Sequence, residues 1–324
     1  MEKSFLGRPF RLVVLLALVA AIPCFGAPKP GTWTSLAPVP HNFIGVEGMS
    51  VAVVGNRIIA ALGYDGGDTS TTRIYDIATN SWSFGANAPG TSSEGAGVAH
   101  GGLFYTAGGR FIGPRNDLWA YDPVSNTWAT RASMSQGRAG LAIAVVGNAI
   151  YVIGGRTGTG GPCSGGALSS VERYDIDEDT WTTVAPMPVA LSDRAAATVG
   201  GKIYVFGGCS GGFPIFTNAV DVYDPVTDTW SSAPADMPTA RAGMYGVATK
   251  GDAVYVIGGW DGIQPGLHTN AAYHVAKDSW TVETPMPTAR AEAGAAGHGG
   301  QVYIVGGATP GFGASVDANE AYKP

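Results

Sequence analysis

The chain is predicted to be an all-β, six-bladed propeller whose last blade is completed by its N-terminal strand. Three observations carry that reading. A Tyr recurs at 75, 121, 174, 223, 273 and 322, at spacings of 46, 53, 49, 50 and 49 residues. Seven residues after each of the first five comes a Trp: Trp82, Trp128, Trp181, Trp230 and Trp280. Tyr322 has no Trp after it, whereas Trp33, in GTWTSLAPVP (31–40), has no Tyr before it. These two halves complete each other. The segment around Trp33 therefore supplies the outer strand of the last blade, and closure removes the sheet edges that an open array exposes.

Each unit of about 50 residues resolves into four short strands, A to D, and a four-stranded unit at this period without helices is a propeller blade. Strand A is rich in Gly and Ala, as in AGVA (96–99), RAGLAIAVV (138–146), AAAT (195–198) and AGAA (293–296). Small residues suit strands that crowd at the axis. Strand B is apolar and β-branched and ends in Gly-Gly: IYVIGG (150–155), IYVFGG (203–208), VYVIGG (254–259), VYIVGG (302–307). The first copy, IIAALGY (58–64), has one Gly. Strand C carries Tyr-Asp and strand D the Trp, best seen in YDPVSNTW (121–128) and YDPVTDTW (223–230). The Asp precedes a tight turn, where it can bond local backbone. Pro-rich turns such as APMP (185–188) and ADMPTAR (235–241) lead to the next blade.

Composition agrees. Gly is 49 of 324 residues, about twice ordinary usage, while 45 % are hydrophobic and 14 % charged, which excludes a disordered chain. Net charge is −6 and no Lys/Arg run occurs, so no nucleic-acid or anionic-membrane footprint is present.

The N-terminus reads as a targeting segment. Lys3, Arg8 and Arg11 precede an apolar stretch from Leu12 to Ile22, which Pro23 ends. Eleven apolar residues make a signal-peptide core and are too few for a membrane span. Cleavage is expected at Gly26–Ala27, giving a signal peptide at 1–26 and a propeller at 27–324. The expected product is a secreted or periplasmic monomer with no membrane span. Two cysteines follow the cleavage point, in CSGG (163–166) and CSGG (209–212). Export permits a Cys163–Cys209 disulfide, and the long Gly-rich segment 156–170 has the reach to form it.

The Gly-Gly, the Tyr-Asp and the Trp seven residues after the Tyr resemble the kelch repeat, over roughly residues 32–324. Families with this repeat include protein-binding adaptors, sialic-acid mutarotases and copper radical oxidases, and the fold alone does not choose among them. The copper enzymes need a Tyr and two His near the axis. Here Tyr273–His274 sits in the strand C slot, and His100 and His298 fall in turns expected on the far face. No motif calls for a metal or another cofactor. DGGD (65–68) lacks the ligand spacing of a calcium loop.

In this family the face built by the D-to-A and B-to-C connections commonly binds the partner. Two slots per blade reach it. The slot after Gly-Gly carries Tyr64, Arg110, Arg156, Cys209, Trp260 and Ala308. The start of strand A carries Arg138, Arg241 and Arg290, with Arg194 shifted, and also Glu47, Glu94 and Glu292. By blade order the three Glu are neighbours, and Arg138, Arg156, Arg194 and Arg241 form the opposite arc. Two readings of the arginines stand: a basic arc that binds a carboxylated ligand, or blade residues that bond local carbonyls. On the first, Arg138→Ala and Arg241→Ala weaken binding without lowering the melting temperature. Tyr64 and Trp260 either stack on a sugar ring or cap their blades.

The function expected is a non-catalytic module that holds a protein segment or an acidic glycan at the propeller mouth. The alternative is a mutarotase or epimerase of a carboxylated sugar such as sialic acid. Arg290 and Glu292, two apart on one strand, would then point the same way as carboxylate clamp and acid/base.

Overall fold

The computed structural model describes residues 31–324 except 44, 212–214, 232–233, 245–247, 265 and 310–313. The expected signal peptide, 1–26, lies outside the described residues. Among those described, six four-stranded antiparallel sheets follow one another as blades. Blade 1 comprises Ser50–Val54, Arg57–Ala61, Thr72–Asp76 and Ser81–Phe84. Blade 2 comprises Ala96–His100, Leu103–Ala107, Leu118–Asp122 and Thr127–Arg131. Blade 3 comprises Ala142–Val146, Ala149–Ile153, Val171–Asp175 and Thr180–Val184. Blade 4 comprises Ala195–Val199, Lys202–Phe206, Val220–Asp224 and Thr229–Ser231. Blade 5 comprises Ala248–Lys250, Ala253–Ile257, Asn270–His274 and Ser279–Val282. Blade 6 comprises Gly294–His298, Gln301–Val305 and Asn319–Lys323, with Thr32–Ser35 as its outer strand. Trp33 lies opposite Tyr322 there, the register that Trp82 and Tyr75 share in blade 1.

The recurring aromatic residues clamp neighbouring blades. Each indole N–H reaches a backbone carbonyl just before its own blade begins: Trp82 to Ala37, Trp128 to Ala86, Trp181 to Ala132, Trp230 to Ala185, Trp280 to Ala235, and Trp33 to Thr284. Each buried Tyr donates its hydroxyl to the turn residue five positions on, from Tyr75–Asn80 to Tyr273–Asp278. That turn residue also accepts the backbone N–H of the same Ala that receives the Trp in blades 1 and 3 to 5. Asn126 accepts from Ala86 in the same way. Tyr322 donates to Glu283 of blade 5 instead. The repeat's conserved spacing within this chain is thus a set of cross-blade hydrogen bonds around large buried rings.

The Gly-Gly pair ends strand B because the backbone turns into the left-handed region against a neighbour. Gly154 and Gly155 have φ of 59° and 92°, and a Cβ on Gly154 would come within 2.6 Å of the Leu191 carbonyl oxygen. In blade 1, Leu62 takes φ 67° where the other copies have Gly, a local strain the closed blade tolerates. The inner strands surround an axial channel of about 350 Å³ lined mainly by Ala, Val and Gly. Among the described residues no helix is long and apolar enough to cross a membrane.

Candidate functional site at the propeller mouth

The approach to strand A repeats in every blade. One residue pairs with the residue after Gly-Gly: Glu47 with Tyr64, Ser93 with Arg110, Ala139 with Arg156, Ser192 with Cys209, Ala242 with Trp260, Ala291 with Ala308. The next residue is left-handed, with φ between 56° and 70°, and is Gly48, Glu94, Gly140, Asp193, Gly243 or Glu292. Glycine and acid alternate around the ring. Backbone hydrogen bonds join these six head to tail: Glu94 to Gly48, Gly140 to Glu94, Asp193 to Gly140, Gly243 to Asp193, Glu292 to Gly243, and Gly48 to Glu292, at 2.7–3.0 Å. This ring forms the neck of the propeller. A non-glycine residue seldom adopts such a φ, so three acidic side chains held there are an outlier that points to function.

Beside the neck is a cavity of about 260 Å³ lined by Glu47, Tyr64, Glu94, Arg110, Trp260 and Glu292, with Gly161, Pro162 and Ala308 among its smaller walls. Four of the six slots after Gly-Gly, those of Tyr64, Arg110, Trp260 and Ala308, therefore reach the mouth, Arg156 and Cys209 lie buried, and the three Glu converge. Asp193 belongs to the same ring and was missed. Its signal is its place, equivalent to Glu94 and Glu292, immediately before Arg194.

The charges are unevenly paired. Arg156, fully buried, bonds Glu94 on one side and Asp193 at 2.5 Å on the other. Arg110 also bonds Glu94, at 2.9 Å. Glu47 and Glu292 form no ion pair among the described residues. The carboxyl of Glu292, 8 % exposed, has no hydrogen-bond partner among them and lines the cavity. Burial, and then the charges of Glu94, Glu47 and Asp193, push Glu292 well above the ordinary carboxylate range, with Arg156 opposing. Burial likewise raises Glu47, against Ser315 and Arg110.

The structure overturns the basic arc. Arg138, Arg194, Arg241 and Arg290 are all buried and turn into their own blades. Arg138 bonds Glu172 at 2.6 Å and the carbonyls of Gly154 and Ser170. Arg194 bonds Asp221 at 2.7 Å, and Arg290 bonds Glu320 at 2.7 Å. Arg241 reaches the Val256 carbonyl and the Thr239 hydroxyl, with no carboxylate partner among the described residues. The reading that these arginines bond local carbonyls is the correct one, extended by carboxylates in strand C. Their removal would cost stability, contrary to the expectation for Arg138→Ala and Arg241→Ala. The Arg290–Glu292 pair is likewise split, because the left-handed φ of 56° at Glu292 breaks strand alternation. Arg290 serves Glu320, and Glu292 faces the cavity.

Tyr64, 38 % exposed, and Trp260 line the cavity. Trp260 packs edge-to-face on Phe216, with centroids 4.9 Å apart. Behind it a disulfide joins Cys163 and Cys209, whose Cα atoms are 5.6 Å apart. It holds the blade 3 loop, with Gly161 and Pro162, at the cavity wall, and the Cys163 N–H bonds Asp193 at 2.8 Å. A closed loop of 46 residues is worth about 4 kcal/mol in the chain-entropy model. The sulfurs and the Asp193 carboxylate cluster, but both sulfurs are bonded to each other. Asp65 of DGGD is buried on Arg73 at 3.1 Å and on the N–H groups of Asn42 and Phe43. His274 contacts Thr281 and His100 contacts Asn148.

Glu292 yields a prediction. The folded chain holds its proton more tightly than the unfolded chain, so this group's stability contribution falls as pH rises from about 4.5 toward the raised folded value. Glu292→Gln removes that loss. Relative to the parent, the variant should be unchanged at pH 4.5 and more stable at pH 8 by about 1–3 kcal/mol, because a neutral amide is spared the ionisation of a buried carboxyl without a partner. Thermal melts at both pH values check this.

Comparisons with known proteins agree with the architecture. The KLHDC2/KLHL20/DRC7 Kelch-repeats domain model matches residues 96–307, and the Kelch motif model matches 47–89. Kelch-like protein 36 of Rattus norvegicus is 32 % identical over 247 residues, covering 73 % of this chain but 39 % of its own length. Kelch-like protein terF of Aspergillus terreus is 26 % identical over 323 residues, covering 91 % of this chain and 69 % of itself. A solved structure titled "Structure of YjhT" superposes with a TM-score of 0.73 at 17 % identity, covering 87 % of this chain and 95 % of that one. With a repeat model spanning well over half its length, the chain belongs to the kelch-repeat family.

Proposed function

We propose that the protein is an exported, non-catalytic binding module that holds a protein segment at the mouth. The observation that carries this reading is the cavity of about 260 Å³, walled by Tyr64, Trp260, Arg110 and the acids of the neck. Tyr64, Arg110 and Trp260 are side chains that strand pairing does not require, and large amphipathic rings at the centre of a concave face are typical binding anchors. The kelch-like relatives support an interaction role. Probing peptide and glycan arrays with the protein and with Trp260→Ala tests it. Peptide signals should fall about 30-fold or more in the variant, the scale of a hot-spot residue. Signals confined to glycans, or unmoved by the substitution, would overturn it. Export is tested by sequencing the N-terminus of protein recovered from the periplasm or medium, expected at Ala27.

A second reading, a mutarotase or epimerase of a carboxylated sugar, rests on Glu292. An enclosed carboxyl that holds its proton above the ordinary carboxylate range can act as an acid/base group. Arg110, not Arg290, is then the guanidinium at the cavity. Faster exchange of sialic-acid anomers by NMR, abolished in Glu292→Gln, would establish this reading, and an unchanged exchange rate would dismiss it.

A further inference from the structure

We infer that the mouth recognises a cationic nitrogen: the ammonium or guanidinium of a ligand, seated beside Glu292 and Glu47 and flanked by Trp260 and Tyr64. The inference deepens the binding-module reading and rests on it.

The guanidinium of the cavity, Arg110, already lies on Glu94, and Arg156 behind it bridges Glu94 and Asp193. The four other arginines at the starts of strand A are turned into their blades. Among the described residues, each guanidinium at the mouth is therefore already paired with a carboxylate. On the side of blades 6 and 1 the balance is reversed. Glu292 and Glu47 both line the cavity and neither has an ion pair among the described residues. Glu292 is more than nine-tenths buried, and among the described residues no hydrogen bond reaches its carboxyl. An unpaired carboxyl held in an enclosed site costs stability, and a cation delivered by a ligand offsets that cost. Two aromatic side chains on the same cavity add the second feature of cation recognition, because a ring face attracts a cation that has left water.

The neck geometry aims this device. Left-handed backbone at Glu292, φ 56°, takes its side chain out of strand alternation, and it lines the cavity. A cavity of about 260 Å³ accommodates one long side chain or a small amine, not a folded surface. A lysine or arginine of a protein segment and a free alkylamine present the same chemistry, and the test separates them.

The protein is titrated calorimetrically at pH 8 and low salt with a short peptide bearing one central lysine, with its acetyllysine and glutamate counterparts, and with butylamine. The lysine peptide should bind at least tenfold more tightly than the other two peptides. Glu292→Gln should weaken it at least tenfold while melting no lower than the parent, and Glu47→Gln should weaken it too. Affinity should rise with pH as Glu292 ionises. The other charged groups facing it are Glu47, Glu94, Asp193, Arg110 and Arg156, and the Glu292→Gln variant isolates its share of that rise. A glutamate peptide that binds best, and is lost in Trp260→Ala, would overturn the cation inference and leave the binding module intact. Butylamine that binds as tightly as the lysine peptide would uphold the cation site and remove the protein segment as its source. Absence of binding by every probe, or lysine binding indifferent to Glu292→Gln, would overturn the inference.

Discussion

A chain beginning at Val46 should melt about 10 °C or more below the chain that retains residues 31–45. Strand Thr32–Ser35 contributes the outer edge of blade 6, where Trp33 stacks on Tyr322 with centroids 5.0 Å apart. The same segment also serves blade 1. The Ala37 carbonyl accepts from Trp82, its N–H donates to Asn80, and the Pro40 carbonyl accepts from Arg73. Losing one indole contact costs about 3 kcal/mol by area, and each hydrogen bond about 1 kcal/mol. The total exceeds roughly 5 kcal/mol, which at ~2–4 °C per kcal/mol gives the expected drop. The bared edge of Asn319–Lys323 should also promote association. Calorimetry and light scattering check both effects, and a truncated chain that melts within 2 °C or so of the parent would contradict closure as the source of stability.

The second large effect separates two arginines that occupy one sequence slot. Arg138→Met should cost about 3–5 kcal/mol, because it strands the buried Glu172 without its guanidinium. Arg241→Met should cost about 1 kcal/mol, because what it leaves is a carbonyl and a hydroxyl. Arg241 is itself a desolvated cation without a carboxylate partner among the described residues, and burial lowers it to about 10. Restoring an apolar pair with Arg138→Met and Glu172→Leu should recover most of the loss. Urea unfolding of the four proteins decides the matter, and equal losses at both positions would show that the ion pair is not the cause.

These arginines mark where the sequence stopped being legible. The period of Tyr and Trp reports cross-blade hydrogen bonds that recur in every unit, so blade number and closure could be read directly. The slot after Gly-Gly could be read too, because it is tied by pairing to the mouth. The direction of a side chain at the start of strand A could not. Alternation predicts that Arg290 and Glu292 share a face, but the left-handed residue at 292 resets the alternation, and no residue type announces it when Glu or Asp stands in for Gly. A signal for the buried pairs did exist: Glu172, Asp221 and Glu320 each stand two residues before the blade's Tyr, in three of the four blades with an arginine near strand A. Blade 5, with Ala271 in that place, is the one whose arginine has no carboxylate partner among the described residues.

The neck ring has a consequence for how the molecule comes apart. In a linear array of repeats each unit touches only its neighbours, and the two end units can fray first. Here each of six residues both donates to one blade and accepts from another, so the circuit has no end unit. Peeling away any blade severs two of these links and the indole clamps on either side of it. Partial unfolding therefore has no inexpensive starting point, and the six repeats should open as one cooperative body despite their sequence independence.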